Sequence, residues 1–157
     1  AAAVEEVKRQ RAAGVDWIAG YDNVSPDAFR AMATALRGSQ VRLSAQPGAA
    51  SMAELAASGV HSIDTLAFPT QARTTTADDA WLAAPAKDLA TLVTSLVRAR
   101  ITLVPMLAAA RVRAHPGEIA KDGALQLLPD PRRKTLLETL AKLPVGQWRY
   151  LQRGERL

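Results

Sequence analysis

One junction in this chain occurs twice and constrains the fold more than any other feature. Arg11-Ala12-Ala13-Gly14-Val15-Asp16-Trp17-Ile18 and Leu55-Ala56-Ala57-Ser58-Gly59-Val60-His61-Ser62-Ile63 each read as a helix end, a glycine suited to the left-handed cap, and an apolar strand. Between them, Ser25-Pro26-Asp27 supplies an N-cap, a proline for the first turn and an acid near the positive helix end. Phe29, Met32, Ala33 and Leu36 follow at helical spacing until Gly38, and Ser51-Met52-Ala53-Glu54 has the pattern of a capping box. The spacing predicts helices over 2–13, 26–37, 51–58 and 86–99, and strands over 17–22, 41–45, 62–67 and 101–107. Such alternation implies right-handed βαβ units and a parallel sheet whose functional edge lies at the strand C-termini. Four strands suit half of a (β/α)8 barrel, which takes about 250 residues when whole, or a small open sheet.

Beyond that repeat the pattern loosens. Residues 68–85, with Thr74-Thr75-Thr76-Ala77-Asp78-Asp79, read as a surface lid or disordered excursion. Helical character is expected within 111–128 around His115-Pro116-Gly117 and again over 132–143, with 144–157 a frayed end. The organisation expected is a βα-repeat partial barrel over 1–107 and a helical, basic extension of the same domain over 108–157.

Of the 157 residues, 48% are hydrophobic and 22% charged, enough to bury a core and too apolar for disorder. The absence of cysteine excludes disulfides, thiolate zinc sites and cysteine nucleophiles, and leaves the compartment open. No run reaches the roughly 18–20 apolar residues of a membrane span, so no transmembrane segment is expected. The start, Ala-Ala-Ala-Val-Glu-Glu, carries no signal-peptide pattern and no initiator Met, which reads as a processed chain or a piece of something longer. The net charge of +5 is uneven: residues 1–100 carry ten charges of each sign, whereas 101–157 carry ten basic and five acidic. That excess could attract nucleic acid or anionic lipid. No binding motif or aromatic platform accompanies it, so it reads as a solvated arginine-rich face.

At the strand ends the sequence resembles the metal-dependent amidohydrolase superfamily, in particular imidazolonepropionase-like and prolidase-like members. The matching segments are Gly14-Val15-Asp16-Trp17-Ile18-Ala19-Gly20-Tyr21, Ser25 to Arg30, Val41 to Pro47 and Ala57 to Leu66, with a weaker likeness in Ile101 to Leu107. The resemblance implies a TIM-like barrel and hydrolysis of amide or cyclic-amide C–N bonds by hydroxide on zinc or another divalent metal. The family's ligands are a His-x-His pair on the first strand, a lysine or glutamate on the fourth, histidines ending the fifth and sixth, and an aspartate on the eighth. Mapped here, the fourth-strand ligand falls on Ala19, the fifth-strand histidine on Ala45 and the sixth-strand histidine on Thr65. The remaining ligands lie outside this sequence. Methyl groups and a neutral hydroxyl cannot replace imidazole or a carboxylated amine around a divalent ion. The expectation is therefore no metal and no catalytic residue: a truncated or degenerate amidohydrolase, inactive by itself.

Other groups share that edge. Tyr21, Asp22 and Asn23 follow the first strand, Gln46 follows Ala45, and Asp64 precedes Thr65, forming a candidate small-molecule pocket. Alternation puts Asp64 and Thr65 on opposite faces, and for Asp22 and Asn23 an ordinary turn is the plainer reading. Acid–base work by Asp22 and Asp64 would need one raised and one ordinary pKa in a shared pocket. His61 falls at the start of a strand, on the edge opposite the site, and His115 lies in an Ala-His-Pro-Gly turn. Trp17 reads as core, while Trp81 and Trp148 have no evident role. No nucleophile elbow, Gly-x-Gly-x-x-Gly or Walker A run is present. A half barrel would expose sheet edges, which predicts self-association or pairing with a complementing half. The alternatives are a noncatalytic binding or scaffold module and, through the basic tail, a nucleic-acid or membrane-surface binder.

Overall fold

The computed structural model describes residues 2–107 and 115–142. The expected frayed end at 144–157, Trp148 and residues 111–114 lie outside them. The chain divides into two compact units, Ala1–Pro105 and Met106–Leu157.

The first unit runs α1 (Ala2–Ala12), β1 (Trp17–Gly20), α2 (Pro26–Ala35), β2 (Arg42–Ala45), α3 (Met52–Ala56), β3 (Ser62–Asp64), α4 (Ala77–Ala83), α5 (Ala86–Arg98) and β4 (Thr102–Val104). The strands form a single parallel sheet in sequential order β1-β2-β3-β4. Gly14 and Gly59, the twin junction glycines, adopt φ of 79° and 83°, the left-handed conformation expected of them. Ser25 Oγ accepts the Ala28 N–H at 3.2 Å, and Ser51 and Glu54 close a reciprocal capping box.

The register sorts the strand residues onto two faces. Ile18 pairs with Leu43, Gly20 with Ala45, and Ala45 with Ile63. These residues meet Val7 of α1, Phe29 and Met32 of α2, Met52 and Leu55 of α3, and Leu92 and Leu96 of α5 in one hydrophobic cluster. The helices pack in chain order too, α1 on α2, α2 on α3 and α3 on α5. All four therefore cover one face, as constant right-handed crossovers in a sequential sheet require. Burying a side chain such as Phe29, Leu43 or Leu55 contributes about 1.5–3 kcal/mol. The alternate residues, Trp17, Ala19, Arg42, Ser44, Ser62, Asp64, Thr102 and Val104, occupy the other face, which no helix of this cluster covers.

Several expectations need correction. Trp17 is not core: it is 48% exposed on the face turned away from the helices, with the Arg42 guanidinium 5.6 Å from its ring centroid. Strand β3 stops at Asp64 rather than 67, because Thr65 turns to φ 72°. Strand β4 is Thr102–Val104 rather than 101–107. The Ile101 N–H still belongs to the end of α5 through Leu96 O, Pro105 has no N–H, and Met106 takes φ 50°. The excursion at 68–85 contains a helix, α4, capped by Thr76 Oγ1 accepting the Asp79 N–H at 3.1 Å. Trp81, on that helix, packs partly buried against the main cluster.

Within the second unit, the described part of the stretch expected to be helical, 115–128, holds a short α6 (Pro116–Ile119) and a 3-10 helix at Gly123–Leu127. Helix α7 (Asp130–Lys142) starts two residues before the expected 132. His115 Nδ1 lies 3.4 Å from the Glu118 carboxylate one turn on.

Candidate functional site at the strand C-termini

In a parallel sheet built from βα units, the loops that leave the strand C-termini converge on one edge. Strand β1 leaves through Tyr21-Asp22-Asn23, closed by a turn in which Val24 N–H meets Tyr21 O at 3.1 Å. Strand β2 leaves through Gln46-Pro47-Gly48, and Gln46 N–H still bonds Gly20 O at 2.9 Å, prolonging the ladder by one residue. The two loops touch where Ala49 N–H meets Asp22 O at 2.6 Å. A Cβ on Gly48 would lie 2.1 Å from that same Asp22 carbonyl oxygen, so only glycine fits this crossing.

The chain after β3 doubles back across this edge. The carbonyls of Phe68 and Pro69 accept the Met52 and Ala53 N–H groups at 2.9 and 3.0 Å, satisfying the start of α3. Arg73 then fastens the segment. Its N–H meets Gly48 O at 2.7 Å, its guanidinium meets Asp22 Oδ2 at 2.9 Å, and it stands 5.9 Å from the Phe68 ring centroid. Asp22 is therefore a strap anchor. Asp64 is placed differently, half-buried on the face turned away from the helices with Ser62 Oγ 3.4 Å from Oδ1. The two carboxylates serve different partners, and nothing here joins them in one acid–base pair.

Continuing the register by one residue places Tyr21, Gln46, Asp64 and Val104 in one row across the face turned away from the helices. Ala19, Ser44, Ser62 and Thr102 form the row beneath. Three of the five pocket candidates thus share a face, while Asn23 stays in the exposed turn. The hydroxyls of Ser44, Ser62 and Thr102 were not singled out in the sequence. Their signal was the strand alternation itself, since each serine sits between apolar or helix-facing neighbours. Ser44 and Ser62 are 8% and 3% exposed.

The three mapped ligand positions scatter. Ala19 lies exposed on the face turned away from the helices; Ala45 is fully buried against the helices, paired with Gly20 and Ile63. Thr65 follows β3 with its N–H on Val104 O at 2.7 Å and φ at 72°, an outlier for a β-branched residue. Two methyls and a hydroxyl do not fit zinc. Among the described residues no three His, Asp or Glu side chains gather as they would around a metal ion.

No known family, curated protein or solved structure matches the chain. The site must be judged by its own chemistry. It offers one half-buried carboxylate, an amide and an exposed phenol above a row in which Ser44 and Ser62 are buried and Thr102 is exposed, groups with the chemistry to hydrogen-bond a polar ligand but, among the described residues, with no nucleophile set beside a positioned base. The largest carboxyl shift is elsewhere: Glu6 on α1 is lowered to about 2 by hydrogen bonds from Arg9 and then Gln10. Among the described residues no helix is long and apolar enough to cross a membrane.

Proposed function

We propose that this chain is a segment of an amidohydrolase-type barrel that has lost the metal chemistry of its C-terminal edge. In this reading the sheet face turned away from α1, α2, α3 and α5, with the outer edges of β1 and β4, serves assembly with a complementing half or a second copy. The observation that carries the reading is the sequential four-stranded parallel sheet with α1, α2, α3 and α5 on one face. A barrel is wound this way, and parallel sheets are almost always covered on both faces. The resemblance at the strand ends adds the family, and the side chains at Ala19, Ala45 and Thr65 remove the hydroxide-generating ion from it.

Two measurements test this. Sedimentation velocity across a concentration series should show a dimer or larger species forming if the partner is a second copy, and a monomer at every concentration contradicts that form of assembly. Hydrolysis of cyclic amides and dipeptides with added zinc should stay at the blank rate, whereas chelator-sensitive turnover contradicts the loss of chemistry. The row of Ser44, Ser62, Thr102, Gln46 and Asp64 favours a second reading, a noncatalytic site for a polar small molecule. It would show saturable, chelator-insensitive binding that Asp64→Ala weakens.

A further inference from the structure

The opposite edge of the sheet, where helices hand the chain back to strands, carries a groove of about 430 Å³ between the ends of α2 and α3. Its ionisable lining is Arg30, Arg37 and His61, with no carboxylate. A concave surface lined by one sign of charge concentrates ions of the other sign. Two helix C-termini point toward it, and bare carbonyl ends would repel an anion. Here they are engaged: Ser39 Oγ donates to Leu36 O at 2.8 Å and Ser58 Oγ to Glu54 O at 2.6 Å. The Leu36, Arg37, Ala57 and Ser58 amides also turn back onto last-turn carbonyls. The serine hydroxyls thus spend their protons on the helix ends, which leaves recognition to the guanidinium and imidazole groups.

His61 is held for that role at three points. Its N–H donates to Leu43 O at 2.8 Å, its carbonyl accepts the Thr102 N–H at 3.0 Å, and its Nδ1 accepts the Leu43 N–H at 3.1 Å. With Nδ1 an acceptor, the neutral ring carries its proton on Nε2. Arg30 is shared with Asp27 at 3.1 Å, whereas Arg37 pairs with no carboxylate among the described residues.

We infer that this groove binds a phosphate group, free or as a phosphomonoester, with Arg37 the principal anchor, Arg30 the second and the His61 Nε2–H the third. Phosphate oxygens accept from several directions at once, and guanidinium matches them in pairs. The groove is larger than the free ion, which leaves room for an esterified group. This site is independent of the amidohydrolase reading and of the strand C-terminal edge.

The test is a ¹H–¹⁵N NMR titration with inorganic phosphate and then with a sugar phosphomonoester, at about 0.15 M salt so that diffuse attraction is screened. Saturable shifts confined to the groove, at residues 30, 33–39 and 57–61 and the His61 ring, are expected. Arg37→Ala should weaken binding about tenfold, a loss of about 1.4 kcal/mol, and Asp27→Asn, by releasing Arg30, should tighten it. Tighter binding of the ester than of inorganic phosphate identifies an esterified ligand, and equal binding identifies the free ion; both support the site. Absence of saturation, shifts spread over the whole basic surface, or unchanged affinity in Arg37→Ala overturns it.

Discussion

The two faces of the sheet are made from alternate residues of the same four strands, yet they are built for different surroundings. Ile18, Leu43, Ala45 and Ile63 look into the helices and are almost wholly buried. One residue away in each case lie Ala19, Arg42, Ser44, Ser62 and Asp64, small, hydroxylic and charged groups of which Ala19 and Arg42 are exposed, Asp64 is half-buried, and Ser44 and Ser62 are buried. Period-two alternation normally marks an antiparallel sheet with one wet face, whereas parallel strands read as continuous apolar runs. A parallel sheet with such alternation is one whose second face expects a polar interior or a partner. The comparison therefore separates what holds the unit together from what is left for function.

Substitutions on either side should sharpen that division. Leu43→Ala should cost about 2–5 kcal/mol in urea unfolding, because α2 and α3 cannot both collapse onto the cavity. The neighbouring Ser44→Ala, though it is also buried, should cost less than about 1 kcal/mol, since it removes one oxygen and leaves no large cavity among the helix-facing residues. Equal losses at the two positions would erase the distinction between the faces. Gly48→Ala should cost about 1–3 kcal/mol, as the added methyl drives the β1 and β2 loops apart. Ser51→Ala should cost about 1 kcal/mol by opening the capping box of α3.

Arg73→Ala should cost well under 1 kcal/mol, because its pair with Asp22 is largely solvated. It should nevertheless speed proteolytic cutting within 66–76, which a purely decorative surface arginine would not. The smallest effect lies off the sheet, on α1. The Glu6 carboxyl is held at about 2, below the ordinary 4.5, by Arg9 first and Gln10 second. A depressed carboxyl contributes stability above its unfolded value and loses it as pH falls. Helical circular dichroism should thus decline between about pH 4.5 and 2, and Glu6→Gln should remove that part of the response.

Much of this fold was legible in particular residues. Gly14, Gly59, Ser25 and Ser51 each announced a helix end through backbone chemistry that acts locally, and each occupies that role. Strand ends were less legible because tertiary contacts decide them: Thr65 and Met106 leave the sheet in left-handed conformations that their side chains do not favour. Helix α4 was missed although Thr76 and Asp79 stand at capping distance, because its seven residues show too short an apolar pattern. Trp17 was misassigned because apolar neighbours imply burial only when the sheet has two covered faces. At the strand C-termini, Tyr21 and Gln46 follow β1 and β2 and Asp64 ends β3, so the strand order alone places all three at one edge. Arg73 is not placed that way, since its contacts to Asp22 and Gly48 come from a return path that no local pattern encodes.

Under the proposed reading, the strand C-terminal edge binds no hydrolytic metal. Calorimetric titration of the purified chain with zinc, alongside elemental analysis, tests it most directly. No stoichiometric metal and no saturable heat are expected. One tight equivalent of zinc would contradict that reading, and would mean that side chains other than those at Ala19, Ala45 and Thr65 form a metal centre.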